Sequence, residues 1–282
     1  MKPSSHVVPV NGLHYRYLRW GDGDSPVVLM LHGLRSYAHT WEPVARALSD
    51  THLVIAPDFR GRGESSWDPR HDYHTDAYAR DIQALVESLG LKRFSVVGHS
   101  MGGTVGYYYA ARHPDQVDKL IIEDIGPGSS THTAGADRIV REMRETPNSF
   151  DSLDAVRAYW RGIRPDITDA ALDSRIEHTV RRTPDGCWAW KLDMAGIAAA
   201  RITADPAKAV DLWRCVGELR CPTLVIRGAR SDFLSADACE RMAERQRLVE
   251  WTQVAGAGHY VHDDNPVEFT RLVTAFLLGG GR

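Results

Sequence analysis

Gly98-His99-Ser100-Met101-Gly102 sets a serine between two glycines directly after the short β-rich run Phe94-Ser95-Val96-Val97. The stretch from Gly103 to Ala111 can continue as a helix that ends near His113-Pro114. A serine on so sharp a strand-to-helix turn needs small neighbours, because its own backbone is strained. Such a turn holds Oγ clear of the sheet and aims the first amides of the following helix at a reacting centre. The chemistry this suits is nucleophilic attack on an acyl carbon. A neutral serine hydroxyl attacks poorly near pH 7, so a base has to lie within hydrogen-bond reach of it.

The elements that must position this serine are legible as alternating signals. Val7–Val10 and Leu13–Trp20 flank Asn11-Gly12, a two-residue hairpin signal. Val27–Leu31 and His52–Ala56 are continuous apolar runs that fit strands covered on both faces. Between them Thr40–Leu48 reads as a helix, with Thr40 as its cap. Tyr78, Ile82, Leu85, Val86 and Leu89 repeat at helical spacing and stop at Gly90. Strands at Phe94–Val97 and Leu120–Glu123 complete a strand–helix alternation, which predicts a parallel sheet with helices on both faces.

The rhythm breaks between Pro127 and about Gly217, where helical patterns are punctuated by Pro147, Pro165, Pro184 and Pro206 and no strand is evident. It resumes at Thr223–Ile226 and Leu248–Val254 and ends in an amphipathic helix over Pro266–Leu278. The expected organisation is a core of residues 1–126 and 217–282 with an all-helical cap, residues 127–216, over the strand ends.

Composition narrows the partners. A net charge of -3 over 282 residues gives no basic face for nucleic acid. No apolar stretch approaches the roughly 20 residues of a membrane span. The start, Met1-Lys2-Pro3-Ser4-Ser5-His6, lacks a signal-peptide apolar region, so a cytoplasmic location is expected. Cys187, Cys215, Cys221 and Cys239 show neither paired nor metal-type spacing and read as reduced thiols. The expected partner is a small-molecule substrate, the expected state a monomer or homodimer.

Four segments now line up. His32-Gly33 follows one apolar run, Asp58-Phe59-Arg60-Gly61-Arg62-Gly63-Glu64-Ser65 the next, Gly98–Gly103 the third, and Gly256-Ala257-Gly258-His259 the last. Together they resemble the α/β-hydrolase superfamily, in a small esterase and amide-hydrolase branch with a helical cap. The resemblance covers nearly all of the chain outside the cap. It implies a mostly parallel eight-stranded sheet and a Ser-His-acid hydrolase that needs neither cofactor nor metal.

Within that resemblance Ser100 is the nucleophile. His259 is the base, since it lies in a Gly-rich loop after the last strand in the chain order nucleophile, acid, base. His262 is the fallback base, and His32 and His99 read as packing or hydrogen-bonding residues. The Leu34 and Met101 backbone amides are the expected oxyanion donors. In most members the acid lies three residues beyond a glycine after the post-cap strand. Here that place is Ser231, counted from Gly228, and serine cannot carry the charge that stabilises an imidazolium. Asp232 is one place late and its side chain turns the other way in an extended loop. Asp124, in Glu123-Asp124-Ile125-Gly126-Pro127, has an Asp-Ile-x-Pro setting like that of a branch that carries its acid there and has Ser after the next strand. Asp124 is therefore the expected acid and Asp232 the alternative. Glu123 points away by strand alternation and ranks third.

Asp58 and Arg60 are expected to brace their loop. Tyr37, Trp41, Trp160 and Trp188 are the expected pocket aromatics. The arginines of the cap, Arg138, Arg141, Arg144, Arg157, Arg161, Arg164, Arg175, Arg181 and Arg182, read mainly as solvated faces, with one or two available to clamp a substrate carboxylate. The leading reading is hydrolysis of a small carboxylic ester or activated amide through an acyl-enzyme on Ser100. C–C bond hydrolysis or perhydrolysis on the same triad, and a non-turnover small-molecule receptor, are the alternatives. Epoxide hydrolase and haloalkane dehalogenase chemistry needs a carboxylate where Ser100 stands.

Overall fold

Asn11 and Gly12 take φ values of 49° and 81°, the left-handed pair that a tight hairpin turn needs, and join β1 (Ser4–Val10) to β2 (Leu13–Trp20). The computed structural model describes residues 2–129, 133–202 and 208–279. Its main sheet adds β3 (Val27–Leu31), β4 (Leu53–Pro57), β5 (Phe94–His99) and β6 (Val117–Glu123). The apolar runs seen in the sequence are these buried strands.

Between β3 and β4 the chain forms a short 3-10 turn, Ala38–Trp41, and then α1 (Glu42–Leu48). The expected cap at Thr40 is not formed. Its hydroxyl instead bonds His262 Nε2 at 2.9 Å, and Pro43 fits the first turn of α1 without a side-chain cap. Helix α2 (Thr75–Ser88) precedes β5, and α3 (Met101–Arg112) follows it.

The segment after β6 holds α4 (Ala134–Glu145), β7 (Ser149–Phe150), α5 (Leu153–Ile163), α6 (Asp169–Thr179), β8 (Val180–Arg182), β9 (Trp188–Trp190) and α7 (Met194–Ile202). The expectation of an all-helical insertion is corrected here: β7, β9 and β8 pair antiparallel in a small second sheet. These strands of two or three residues are too short to show a period in sequence. Ser152 and Thr168 cap α5 and α6 by accepting from backbone amides three residues on. Pro206 lies outside the described residues.

The chain then returns through α8 (Leu212–Glu218), β10 (Thr223–Gly228), α9 (Ala236–Arg245), β11 (Val249–Val254), α10 (Val261–Asp264) and α11 (Pro266–Leu278). Helix α8 spans the boundary drawn at residue 216 and packs on α3 and α9. The eight-stranded sheet runs β1-β2-β4-β3-β5-β6-β10-β11, parallel from β4 onward in that order. One core lies under α1 and α11, around Trp41 and Phe269. The other lies on the opposite face around Tyr107, Ile122 and Met242 and continues into the insertion through Trp160. No helix among the described residues is long and apolar enough to cross a membrane.

Candidate active site

Ser100 sits at the C-terminal end of β5 with φ 52° and ψ -116°, the strained turn that a serine between glycines implies. The glycines are there for space. A Cβ on Gly102 would stand 2.1 Å from the Leu31 carbonyl oxygen, and one on Gly98 2.6 Å from that of Gly102. The turn is tied to the neighbouring strand because the Ser100 N–H donates to the Glu123 carbonyl at 3.1 Å. Asp124, at the end of that strand, has φ 51°, a second left-handed residue that turns its carboxylate toward the last loop.

Three side chains from three strand ends meet in line. Ser100 Oγ lies 2.9 Å from His259 Nε2, and His259 Nδ1 lies 2.8 Å from Asp124 Oδ2. The carboxylate fixes the tautomer: Nδ1–H donates to it, which leaves the Nε2 lone pair to take the serine proton. Asp124 is fully buried, and its charge is met by three donors. Besides His259 these are the Gly228 N–H at 2.9 Å on Oδ1 and the Ser231 hydroxyl at 2.5 Å on Oδ2. Ser231, at the position first considered for the acid, thus donates to Asp124 instead. The His259 ring stacks on Phe233 at 4.0 Å, and its backbone carbonyl accepts from His99 Nε2 at 3.0 Å.

The alternative assignments are occupied elsewhere. Asp232 is bound by Arg138 at 2.8 and 3.1 Å; although burial raises its pKa, that guanidinium holds its carboxyl below the usual carboxylate range. Glu123 does point away from Asp124, and its two oxygens are each 2.8 Å from His262 Nδ1, so His262 is committed to Glu123 and lies off Ser100. His32 donates to the Gly33 carbonyl and accepts from the Phe59 N–H; burial pushes its pKa down to about 3, so it stays neutral.

The Leu34 N–H, in the turn after β3, and the Met101 N–H, at the start of α3, donate to no protein acceptor among the described residues. Free amides beside Ser100 are what an oxyanion would need there. Asp58 and Arg60 brace their loop as expected. Asp58 accepts from the Ala38 and Glu64 amides and from Arg16, and Arg60 forks onto Asp81.

The aromatics divide. Trp41 is enclosed in the α1–α11 core, 5.0 Å from the His262 ring, and Trp160 is buried against Trp190. Trp188 is half-buried in β9, while Tyr37 is buried with its hydroxyl on Ser174. Two arginines of the insertion do turn inward, but onto protein acids. Arg164 donates to Asp263 at 2.5 Å and to Asp264 at 3.0 Å, and the fully buried Arg175 donates to Asp263 at 2.9 Å. His99, Glu123 and His262 form a donor set of a kind that metals use, with atoms within 4.8 Å of one another. Here both Glu123 oxygens and both His262 ring nitrogens already have protein partners.

Sequence reasoning missed the Phe233 stack and the Glu123–His262 pair. The one available signal for the pair was two consecutive acids at the end of one apolar run, Glu123 and Asp124, and two histidines three residues apart after another, His259 and His262.

Residues 26–266 match the α/β hydrolase fold family. The chain is 30% identical to 2-(acetamidomethylene)succinate hydrolase of Mesorhizobium japonicum over 90% of this chain and 89% of that one. It is 30% identical to 3-hydroxybutyrate-oligomer hydrolase of Cupriavidus necator over 88% of each. The crystal structure of E-2-(acetamidomethylene)succinate hydrolase superposes with a TM-score of 0.88 at 27% identity, covering 98% of this chain and 100% of that one. On this match and these relatives, the chain is a hydrolase that belongs to the α/β hydrolase fold family.

Proposed function

We propose that the chain is a carboxylesterase-type serine hydrolase that cleaves a small, uncharged carboxylic ester. The observation that carries this reading is the continuous hydrogen-bond line from Ser100 Oγ through His259 to Asp124, at 2.9 and 2.8 Å. His259 takes the Ser100 proton as Oγ attacks the carbonyl carbon, and Asp124 stabilises the imidazolium that forms. The Leu34 and Met101 amides receive the developing oxyanion. His259 then protonates the leaving alkoxide. A water activated by the same base releases the acid from the acyl-enzyme. No step calls for a cofactor.

The preference for an uncharged substrate rests on the partners of four guanidiniums where the insertion meets the core. Arg35 is bound to Glu142, Arg138 to Glu142 and Asp232, Arg164 to Asp263 and Asp264, and Arg175 to Asp263. These four guanidiniums face four acids, so none of the four is left over for a substrate carboxylate. A second reading, hydrolysis of an activated amide on the same triad, draws on the identity to the Mesorhizobium 2-(acetamidomethylene)succinate hydrolase. The four free thiols, three of them buried, suit a reducing compartment, and we assign the chain to the cytoplasm. Turnover of a short p-nitrophenyl ester tests the proposal: the wild type turns over repeatedly, and Ser100→Ala loses at least about 10³-fold in kcat.

A further inference from the structure

Glu123 touches both halves of the site. Its backbone carbonyl accepts the N–H of Ser100 at 3.1 Å. Its carboxylate accepts the backbone N–H of His262 at 2.9 Å and the His262 ring N–H at 2.8 Å. His262 lies three residues after His259, in α10, so the Glu123 side chain ties the segment that carries His259 to β6, whose last carbonyl holds the Ser100 N–H. The far side of the His262 ring is fixed as well, with Nε2 2.9 Å from Thr40 Oγ1. Both members are buried, at 0% and 3% exposure. A buried charge pair that is fully hydrogen-bonded has one geometry, and losing a partner leaves the other stranded.

We propose that Glu123 and His262 form a second carboxylate–imidazolium dyad, separate from the triad, that positions His259 over Ser100, and that full turnover requires its ion pair. The inference rests on the triad reading above. Neither residue belongs to the Ser100–His259–Asp124 line; both act by positioning the segment that carries His259.

The charges around His262 fit this role. Burial pushes its pKa down, but the charges of Glu123 and Asp263 outweigh that and hold it above the ordinary histidine value, with Arg175 opposing them. Burial holds the Glu123 pKa above the usual carboxylate value, and His262 offsets only part of that rise. His99, edge-on to His262 at 4.9 Å, is kept neutral because burial and the neighbouring His259 and His262 push its pKa well down. His259 and Tyr260 complete the surroundings on the loop side. With its folded pKa raised, His262 contributes most below its unfolded value, and the contribution is lost as pH rises through the folded one. Turnover should therefore decline on the alkaline side for a reason unrelated to the triad.

The test uses the full chain, with p-nitrophenyl ester turnover followed from about pH 7 to about pH 10. His262→Ala is expected to lower kcat by about 10- to 100-fold with KM within about twofold, the signature of a misplaced base. Glu123→Gln keeps an acceptor for the His262 N–H but removes the charge. It should fold, hold kcat near the level the wild type reaches at the alkaline end, and show no further alkaline decline. If Glu123→Gln keeps the wild-type kcat and the wild-type alkaline limb, the dyad has no positioning role. The proposal also fails if either variant raises KM alone. Ser100→Ala is assayed alongside: turnover retained there overturns the nucleophile assignment, and the dyad's role with it.

Discussion

Asp124 gives up all contact with water, and three donors replace it: His259, Gly228 and Ser231. Such a carboxylate is a preorganised counter-charge for an imidazolium, and making it neutral leaves the shape and removes the effect. Asp124→Asn should therefore cost about 10⁴-fold in kcat, measured on a neutral ester. Asp232→Asn breaks only a partly exposed pair with Arg138, so it should leave kcat nearly unchanged and alter stability by no more than about 1 kcal/mol. A crippled Asp232→Asn beside a near-silent Asp124→Asn would contradict the displaced acid. Much of this was legible residue by residue. Ser231 at the usual acid position excluded that position on charge alone, and the Asp-Ile-x-Pro setting pointed to Asp124. The destination of Glu123 was not legible, because alternation along β6 says only which face it leaves by. Its partner His262 arrives from a short helix 139 residues away.

Among the elements, α10 is one on which the insertion and the candidate site meet. It carries His262 and Asp263 in succession, so one face of this short helix holds the base loop and the other receives Arg164 and Arg175 from the α5 end and α6. Burial would raise the Asp263 pKa, but His262 and the two guanidiniums hold its carboxyl far below the usual carboxylate range. A depressed folded pKa contributes stability above the unfolded value and loses it as pH falls. Asp263→Asn should cost about 3–5 kcal/mol at neutral pH in denaturant unfolding, and the gap to the wild type should narrow as pH drops below about 4. A gap that does not change with pH would mean that the charge does not matter. The strands of the main sheet were readable as apolar runs because burial on both faces leaves no other pattern. The strands β7, β8 and β9 were not, since two or three residues cannot establish a period and their pairing is decided by tertiary contact. Thr40 misled for a related reason. A threonine before an apolar helix suits a cap, but here its hydroxyl serves a histidine more than two hundred residues on.

For the whole molecule, the insertion is joined to the main-sheet core by charge pairs on two sides of the candidate site. Arg35, next to the Leu34 amide, reaches Glu142 and Tyr159, while Asp263, on the base side, receives Arg164 and Arg175. The cap arginines conspicuous in the sequence could not be divided into solvated and inward-facing there, because which face is buried depends on where the insertion lands. With Arg138, Arg164 and Arg175 each matched by acids, an ester bearing an acyl-chain carboxylate should be disfavoured against its neutral isostere by at least about tenfold in kcat/KM, as expected for an uncompensated charge entering a dry site. Equal rates on the two would locate an unmatched cation. Beneath that preference lies the central claim, that Ser100 is activated by His259 and Asp124. Labelling of the intact chain with a fluorophosphonate, followed by peptide mass spectrometry, tests it most directly. The account predicts one adduct per chain, on the peptide that contains Ser100, lost in Ser100→Ala and formed far more slowly in His259→Ala. An adduct on another residue, or undiminished labelling of Ser100→Ala, would contradict it.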